Sequence, residues 1–216
     1  MSTSMHSKMK PVYIVDGLRT PFIKAGSKPG PFSASDLAVQ AGRQLCLRQP
    51  ILPSDLDEVI MGNVMAGADE ANIARLIALR LGCGDHVGGM SVHRNCGSGM
   101  QAVDLARCAI ADGRHDLLLA GGTEAMSHAP LLFSPQMNVW LGQWIAAKSL
   151  PTRLRVLMQF RLKQLVPIIA LMRGLSDPLI NLSMGQTAEE LAYRFSITRK
   201  QMDQFANQSH QRVIDA

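Results

Sequence analysis

The chain has 216 residues, 47% of them apolar and 18% charged, with a formal net charge of +5. That much apolar content fills a core in one large domain or two small ones and excludes a disordered chain. Four cysteines without a CxxC pair exclude a disulfide framework or structural zinc site, and the modest basic balance suits a phosphate-bearing small molecule or an ordinary solvated surface without calling for nucleic acid.

In chain order, residues 1–10 are polar, lack the apolar core of a signal peptide and are expected to be flexible. No later run is long and apolar enough to span a bilayer, so a cytoplasmic setting is expected. Residues 12–15 form a short apolar run closed by Asp16-Gly17, the pattern of a buried strand and turn. After a Gly/Pro/Ser-rich loop, Ser33 and Asp36 mark the start of a helix to about residue 49, with Leu37, Ala41 and Leu45 on one face. Residues 58–64 read as a second strand. A second helix over 71–81 has Ile73, Ile77 and Leu81 inward, and a third strand follows at 90–93. A fourth strand at 117–120 ends in Gly121-Gly122. Strands alternating with helices imply right-handed crossovers and a largely parallel sheet with helices on both faces. Reactive groups in such sheets gather beyond the carboxyl ends of the strands.

The third strand runs into Asn95-Cys96-Gly97-Ser98-Gly99, a sharp turn opening a helix with Met100, Val103, Ala106 and Ile110 as its apolar stripe and Gly113 as its stop. A cysteine there meets unpaired amide hydrogens and the positive end of a helix dipole, both of which stabilise negative charge on sulfur. Flanking glycines let a substrate carbonyl approach main-chain donors. Cys96 is therefore the candidate nucleophile; the same spacing also fits a buried, inert cysteine where a helix begins. Cys46 and Cys108 fall on apolar helix positions and read as core, while Cys83 lies in a glycine-flanked loop. Among the histidines, His93 reads as a packing or interface residue rather than a base, and His128 and His210 as surface or loop residues.

Between residues 125 and 176 there is no Asp or Glu, while Lys148, Arg153, Arg155, Arg161, Lys163 and Arg173 are basic. The stretch 151–167 reads as a basic amphipathic helix that can lie on an anionic membrane, meet a partner protein, frame the phosphates of a ligand or pack on its own domain. Thr187-Ala188-Glu189-Glu190 reads as a capping box for a helix to about residue 195, and Thr198-Arg199-Lys200-Gln201 as another. The last helical pattern runs into the terminus without a stop signal, so the chain is expected to continue in its natural context.

Asn95-Cys96-Gly97-Ser98-Gly99-Met100-Gln101-Ala102 resembles the nucleophile segment of thiolases, CoA-dependent enzymes that cleave or form the carbon-carbon bond of 3-ketoacyl-CoA. Three more segments resemble the family in order and spacing: Val15-Asp16-Gly17-Leu18-Arg19-Thr20-Pro21-Phe22, Ala120-Gly121-Gly122-Thr123-Glu124-Ala125-Met126-Ser127 and Met184-Gly185-Gln186-Thr187-Ala188-Glu189-Glu190. The resemblance implies a layered α-β-α fold with a mostly parallel sheet, present as one of two pseudo-symmetric halves plus a helical excursion. It divides the chain into a flexible start (1–10), an α/β core whose last strand is missing (11–124) and a basic, helical, truncated region (125–216). It also implies acetyl-CoA C-acyltransferase activity, with Cys96 taking the acyl group and Ser183, Met184 and Gly185 at substrate-binding positions; simple core packing remains open for Met184. CoA and acyl-CoA would be substrates, with no tightly bound cofactor or metal.

The basic segment is similar to the β-subunits of fatty-acid oxidation trifunctional complexes. That likeness implies a hydratase/dehydrogenase α-subunit as partner, a homodimer or higher assembly through the core, and peripheral membrane contact through 140–173. The family's histidine and second cysteine come from a C-terminal half, and this sequence holds neither a Gly-His-Pro motif nor a late Cys-x-Gly. The alternatives are an inactive fragment that keeps dimerisation or CoA binding, and a ketoacyl-synthase type of condensing enzyme. Gly121-Gly122 and Glu124 read as turn and interface residues.

Overall fold

Hydrogen bonds from side chains start several helices of this chain, whose computed structural model describes residues 10–26 and 28–215. Apart from Lys10, the expected flexible stretch lies outside those residues. Two compact units are present, Met1–Pro130 and Leu131–Ala216.

In the first unit, helix α1 (Ala34–Arg48) is opened by a capping box: the Ser33 hydroxyl accepts from the Asp36 amide, and the Asp36 carboxylate accepts from the Ser33 amide. Arg80 bonds the Asp36 carboxylate, and with the Ser33 amide holds its pKa below the usual range. Strand β1 (Glu58–Gly62), helix α2 (Ile73–Leu81), strand β2 (Gly88–Val92), helix α3 (Ser98–Ala111) and strand β3 (Leu118–Gly122) follow. The three strands pair in parallel in the order β2-β1-β3, with Glu58 opposite both Gly88 and Leu118. From β1 the chain steps to one side, then returns across β1 to reach β3. Crossovers of one hand then place α2 and α3 on opposite faces.

The central strand shows this in its alternation. Val59 and Met61 pack with Ala38, Val39, Ile73, Ile77, Cys83 and Val87 under α1 and α2. Ile60 packs on the other face with Ala102 and Ala106 of α3. Each fully buried Ile or Val contributes about 1.5–3 kcal/mol of transfer free energy. The expected α-β-α layering of a mostly parallel sheet is therefore present.

Several local expectations change. Residues 12–15 form no strand, and Tyr13, Ile14 and Val15 are exposed. A strand needs a ladder partner, and among the described residues none pairs with this run, just as β3 keeps one unpaired edge. The inward positions of α1 are Ala38, Val39, Gly42 and Cys46, with Leu37, Ala41 and Leu45 only half-buried beside them. On α3 the small residues Ala102, Ala106 and Ala109 face inward, whereas Met100 is 76% exposed, because the helix lies too close to the sheet for larger side chains. Cys83 lies in the expected loop and is fully buried, directly after Gly82 ends α2 at φ +85°. Cys108 is half-buried, 3.2 Å from the Arg107 guanidinium.

The second unit contains a two-residue antiparallel ladder of β4 (Leu131–Leu132) and β5 (Ile168–Ile169), with helices α4 (Pro135–Ala146), α5 (Leu150–Met158), α6 (Ala170–Gly174), α7 (Met184–Arg194) and α8 (Arg199–Asp215). Trp140 joins α4 to α5: its indole stacks on Trp144 at 5.7 Å, meets the Phe160 ring at 5.0 Å and donates to the Val156 carbonyl at 2.8 Å. The expected basic helix over 151–167 is shorter, ending at Met158, and Leu162–Leu165 forms a separate 3-10 turn. Helix α7 begins three residues before the expected box. Ser183 and Gln186 cap it, and Thr187 instead donates back to the Ser183 carbonyl at 3.2 Å. Thr198 and Gln201 cap α8 as expected. No helix of the described residues is long and apolar enough to cross a membrane.

Candidate active site

A sheet of parallel strands presents all its carboxyl ends at one edge, so the loops after β1, β2 and β3 meet there. Three glycines bring α3 down onto that edge. A Cβ on Gly62 would stand 2.3 Å from the Ser98 carbonyl carbon, and one on Gly122 would stand 3.0 Å from the Gly99 Cα. Only glycine allows such contact between a helix start and two strand ends. The first turn of α3 is thereby seated directly on β1 and β3.

Cys96 occupies the link between β2 and this helix, and it is exposed. Asn95, just before it, is in the left-handed region at φ +48°, a conformation that asparagine tolerates better than most residues. Four hydrogen bonds close the turn. The Arg94 carbonyl accepts from the Gly97 amide at 3.1 Å, and the Asn95 carbonyl accepts from the Ser98 amide at 3.1 Å. The Ser98 hydroxyl donates to the Asn95 carbonyl at 2.6 Å and accepts from the Arg94 amide at 2.8 Å. One turn further on, the Arg94 guanidinium bonds the Gln101 side chain. Cys96 is thus held exposed on a closed turn immediately before a helix.

The other two loops are tied to each other. The Glu124 carboxylate accepts from the Val64 amide at 2.9 Å and the Met65 amide at 3.2 Å, and from the Asn63 side chain at 3.1 Å. Asn63 also donates to the Thr123 carbonyl at 2.8 Å and is 6% exposed. Glu124 thus fixes the loop after β1, in keeping with a turn-shaping role. His93 is exposed at the end of β2, and His128 bonds the Gly30 carbonyl at 2.8 Å. Burial pushes the Cys46 and Cys83 thiols up, away from the reactive thiolate.

Ser183, Met184 and Gly185 belong to the second unit. The Ser183 hydroxyl accepts from the Gln186 amide at 3.3 Å and donates to the Gln186 side chain at 3.0 Å, which makes it the N-cap of α7. Met184 is the first residue of that helix and is partly exposed, and open space surrounds the Gly185 Cα. Sequence reasoning missed Ser98, Gly62 and Asn63. Ser98 stands inside the motif, which the sequence marks only as a sharp, glycine-flanked turn; its partners are local, but its burial depends on how the helix sits on the sheet.

A layered α/β protein with an exposed cysteine at a strand-to-helix turn on the carboxyl edge is the class that fold and geometry define. The sequence matches the family model described as "Thiolase, N-terminal domain" over residues 12–216, and the chain belongs to the thiolase family. It is 35% identical over 210 residues to the 3-oxoadipyl-CoA/3-oxo-5,6-dehydrosuberyl-CoA thiolase of Escherichia coli (strain K12), covering 96% of this chain and 49% of that protein. It is 34% identical over 199 residues to the mitochondrial trifunctional enzyme subunit beta of Bos taurus, covering 92% and 41%. The crystal structure of human mitochondrial 3-ketoacyl-CoA thiolase in complex with CoA superposes with a TM-score of 0.67 at 29% identity, covering 84% of this chain and 42% of that one. The chain spans about half the length of the curated relatives it matches.

Proposed function

We propose that this chain supplies the acyl-accepting half of a thiolase site that cleaves 3-ketoacyl-CoA with CoA. The observation that carries the reading is the placement of Cys96: exposed, at a hydrogen-bonded turn, at the start of α3. In this reaction the Cys96 sulfur adds to the C3 keto carbon, and collapse of the adduct breaks the C2–C3 bond. The acyl group stays on sulfur while C2 keeps the electron pair and takes a proton to give acetyl-CoA. The thiol of a second CoA then adds to the thioester carbonyl, and its proton passes to the Cys96 sulfur as the shortened acyl-CoA leaves. The main-chain amide of Cys96 is the oxyanion donor this chain offers, since those of Arg94, Gly97 and Ser98 close the turn itself. Ser183, Met184 and Gly185 are the substrate-lining positions in this reading. The family's activating histidine and second cysteine are not among these residues, so the 216-residue chain by itself takes up an acyl group without turning over. Incubated with iodoacetamide, it is expected to be modified first at Cys96 and protected there by acetyl-CoA, with no thiolysis of acetoacetyl-CoA. Modification spread evenly over the four cysteines, without protection, overturns the reading.

The likeness to a trifunctional enzyme subunit beta supports a hydratase/dehydrogenase α-subunit as a further partner, and the family supports a homodimer through the core. The basic region supports peripheral contact of residues 140–173 with an anionic membrane from the cytoplasmic side. On α5, Leu150, Leu154 and Leu157 form an exposed apolar stripe beside Arg153 and Arg155. Replacing Arg153, Arg155 and Arg161 by glutamine is expected to weaken sedimentation with phosphatidylserine vesicles at least about tenfold. Unchanged sedimentation returns the segment to packing or to the α-subunit.

A further inference from the structure

We propose that Ser98 is a positioning residue for Cys96, acting through the hydroxyl that closes the turn; the inference rests on the reading of Cys96 as the nucleophile. Ser98 is 3% exposed, so its hydroxyl works without competition from bulk water. It accepts from the Arg94 amide at 2.8 Å and donates to the Asn95 carbonyl at 2.6 Å. The Arg94 amide and the Asn95 carbonyl bracket the two residues immediately before Cys96, and Asn95 is the residue held at positive φ.

A left-handed asparagine is strained and persists only where its surroundings hold it. Here the Asn95 carbonyl takes both donors of Ser98, amide and hydroxyl. Ser98 itself cannot drift, since its carbonyl lies against the bare Cα of Gly62 at the end of β1. The rigid sheet is thus linked to the thiol through one side chain: β1 fixes Ser98, and Ser98 fixes the backbone carrying Cys96. Alanine at 98 leaves the Arg94 amide without its acceptor and Asn95 free to relax to negative φ. The backbone that carries Cys96 then loses the geometry its tie to the sheet imposes.

The four cysteines report on this independently, because Cys46, on α1, and Cys83, in the cluster under α1 and α2, are both buried away from the Cys96 turn. In the full 216-residue chain, Ser98→Ala is expected to slow iodoacetamide modification of Cys96 about tenfold, the equivalent of one to two net hydrogen bonds. Cys46 and Cys83 should stay unmodified, and the Arg94 amide should lose protection from hydrogen exchange. Ser98→Thr, which keeps the hydroxyl, is expected to restore the Cys96 rate.

An unchanged Cys96 rate in Ser98→Ala overturns the proposal. So does modification of Cys46 and Cys83 along with Cys96, which would make Ser98 a residue of general stability; if Ser98→Ala does not fold, a Ser98→Thr chain that folds yet modifies Cys96 as slowly as Cys108 overturns it instead. If wild-type Cys96 shows no preference over Cys108, the reading of the nucleophile fails and not the latch.

Discussion

A Cys96→Ser chain is expected to fold as the wild type does and to lose acyl uptake. Cys96 is exposed and contributes nothing to either apolar cluster, so replacing sulfur by oxygen removes no packing. What changes is the nucleophile: a hydroxyl is a weak one without an adjacent base, whereas a thiol is intrinsically far more nucleophilic. Labelling from radioactive acetyl-CoA, followed by peptide mapping, should find the acetyl group on the peptide containing Cys96 in the wild type. In Cys96→Ser the label should fall by about a thousandfold or more, with the circular dichroism spectrum unchanged. Label that persists on other cysteines in the variant would mean that acyl transfer does not run through this turn.

The second large effect is on stability. Gly62→Ala is expected to lower the melting temperature by about 6–12 °C, the consequence of a loss of roughly 3 kcal/mol or more. The added methyl would stand 2.3 Å from the Ser98 carbonyl carbon and 2.5 Å from the Gly99 amide nitrogen, and both are backbone atoms that no rotamer change can move aside. Relief requires α3 to lift from the sheet, taking the Cys96 turn with it. Gly185→Ala is the control. Its Cβ meets nothing within 4 Å and lies in the first turn of α7, so it should leave the melting temperature level or raise it slightly, by up to about 1 kcal/mol in stability. A Gly62→Ala chain that melts with the wild type would show that α3 does not sit on β1 through this contact.

Strand and helix types for β1, α2, β2, α3 and β3 were legible because each is a segment bounded by glycine or another turn residue, and length together with those boundaries separates the short apolar strands from the longer helical patterns. The parallel sheet followed from their alternation. Legibility failed where the outcome depended on a neighbour. Residues 12–15 carry strand-forming side chains yet pair with none of the described residues, since a strand is a property of two segments and the sequence names only one. On α3 the larger apolar residues looked like the buried stripe, but close approach to β1 and β3 gave the inward face to alanines. At α7 two overlapping cap patterns competed, and Ser183 with Gln186 prevailed over Thr187 with Glu190.

The sequence by itself determined the order of elements, the family and the cysteine at the strand-to-helix turn, because these rest on local pattern and on motifs within single segments. Tertiary structure alone decided what seats that cysteine's turn on the sheet: the bare Gly62 under Ser98, and Glu124 tying the neighbouring loop. Those contacts join residues brought together only when parallel strands align their carboxyl ends, and no linear spacing encodes such a meeting, whereas the Ser98 hydroxyl reaches Arg94 and Asn95 within its own turn.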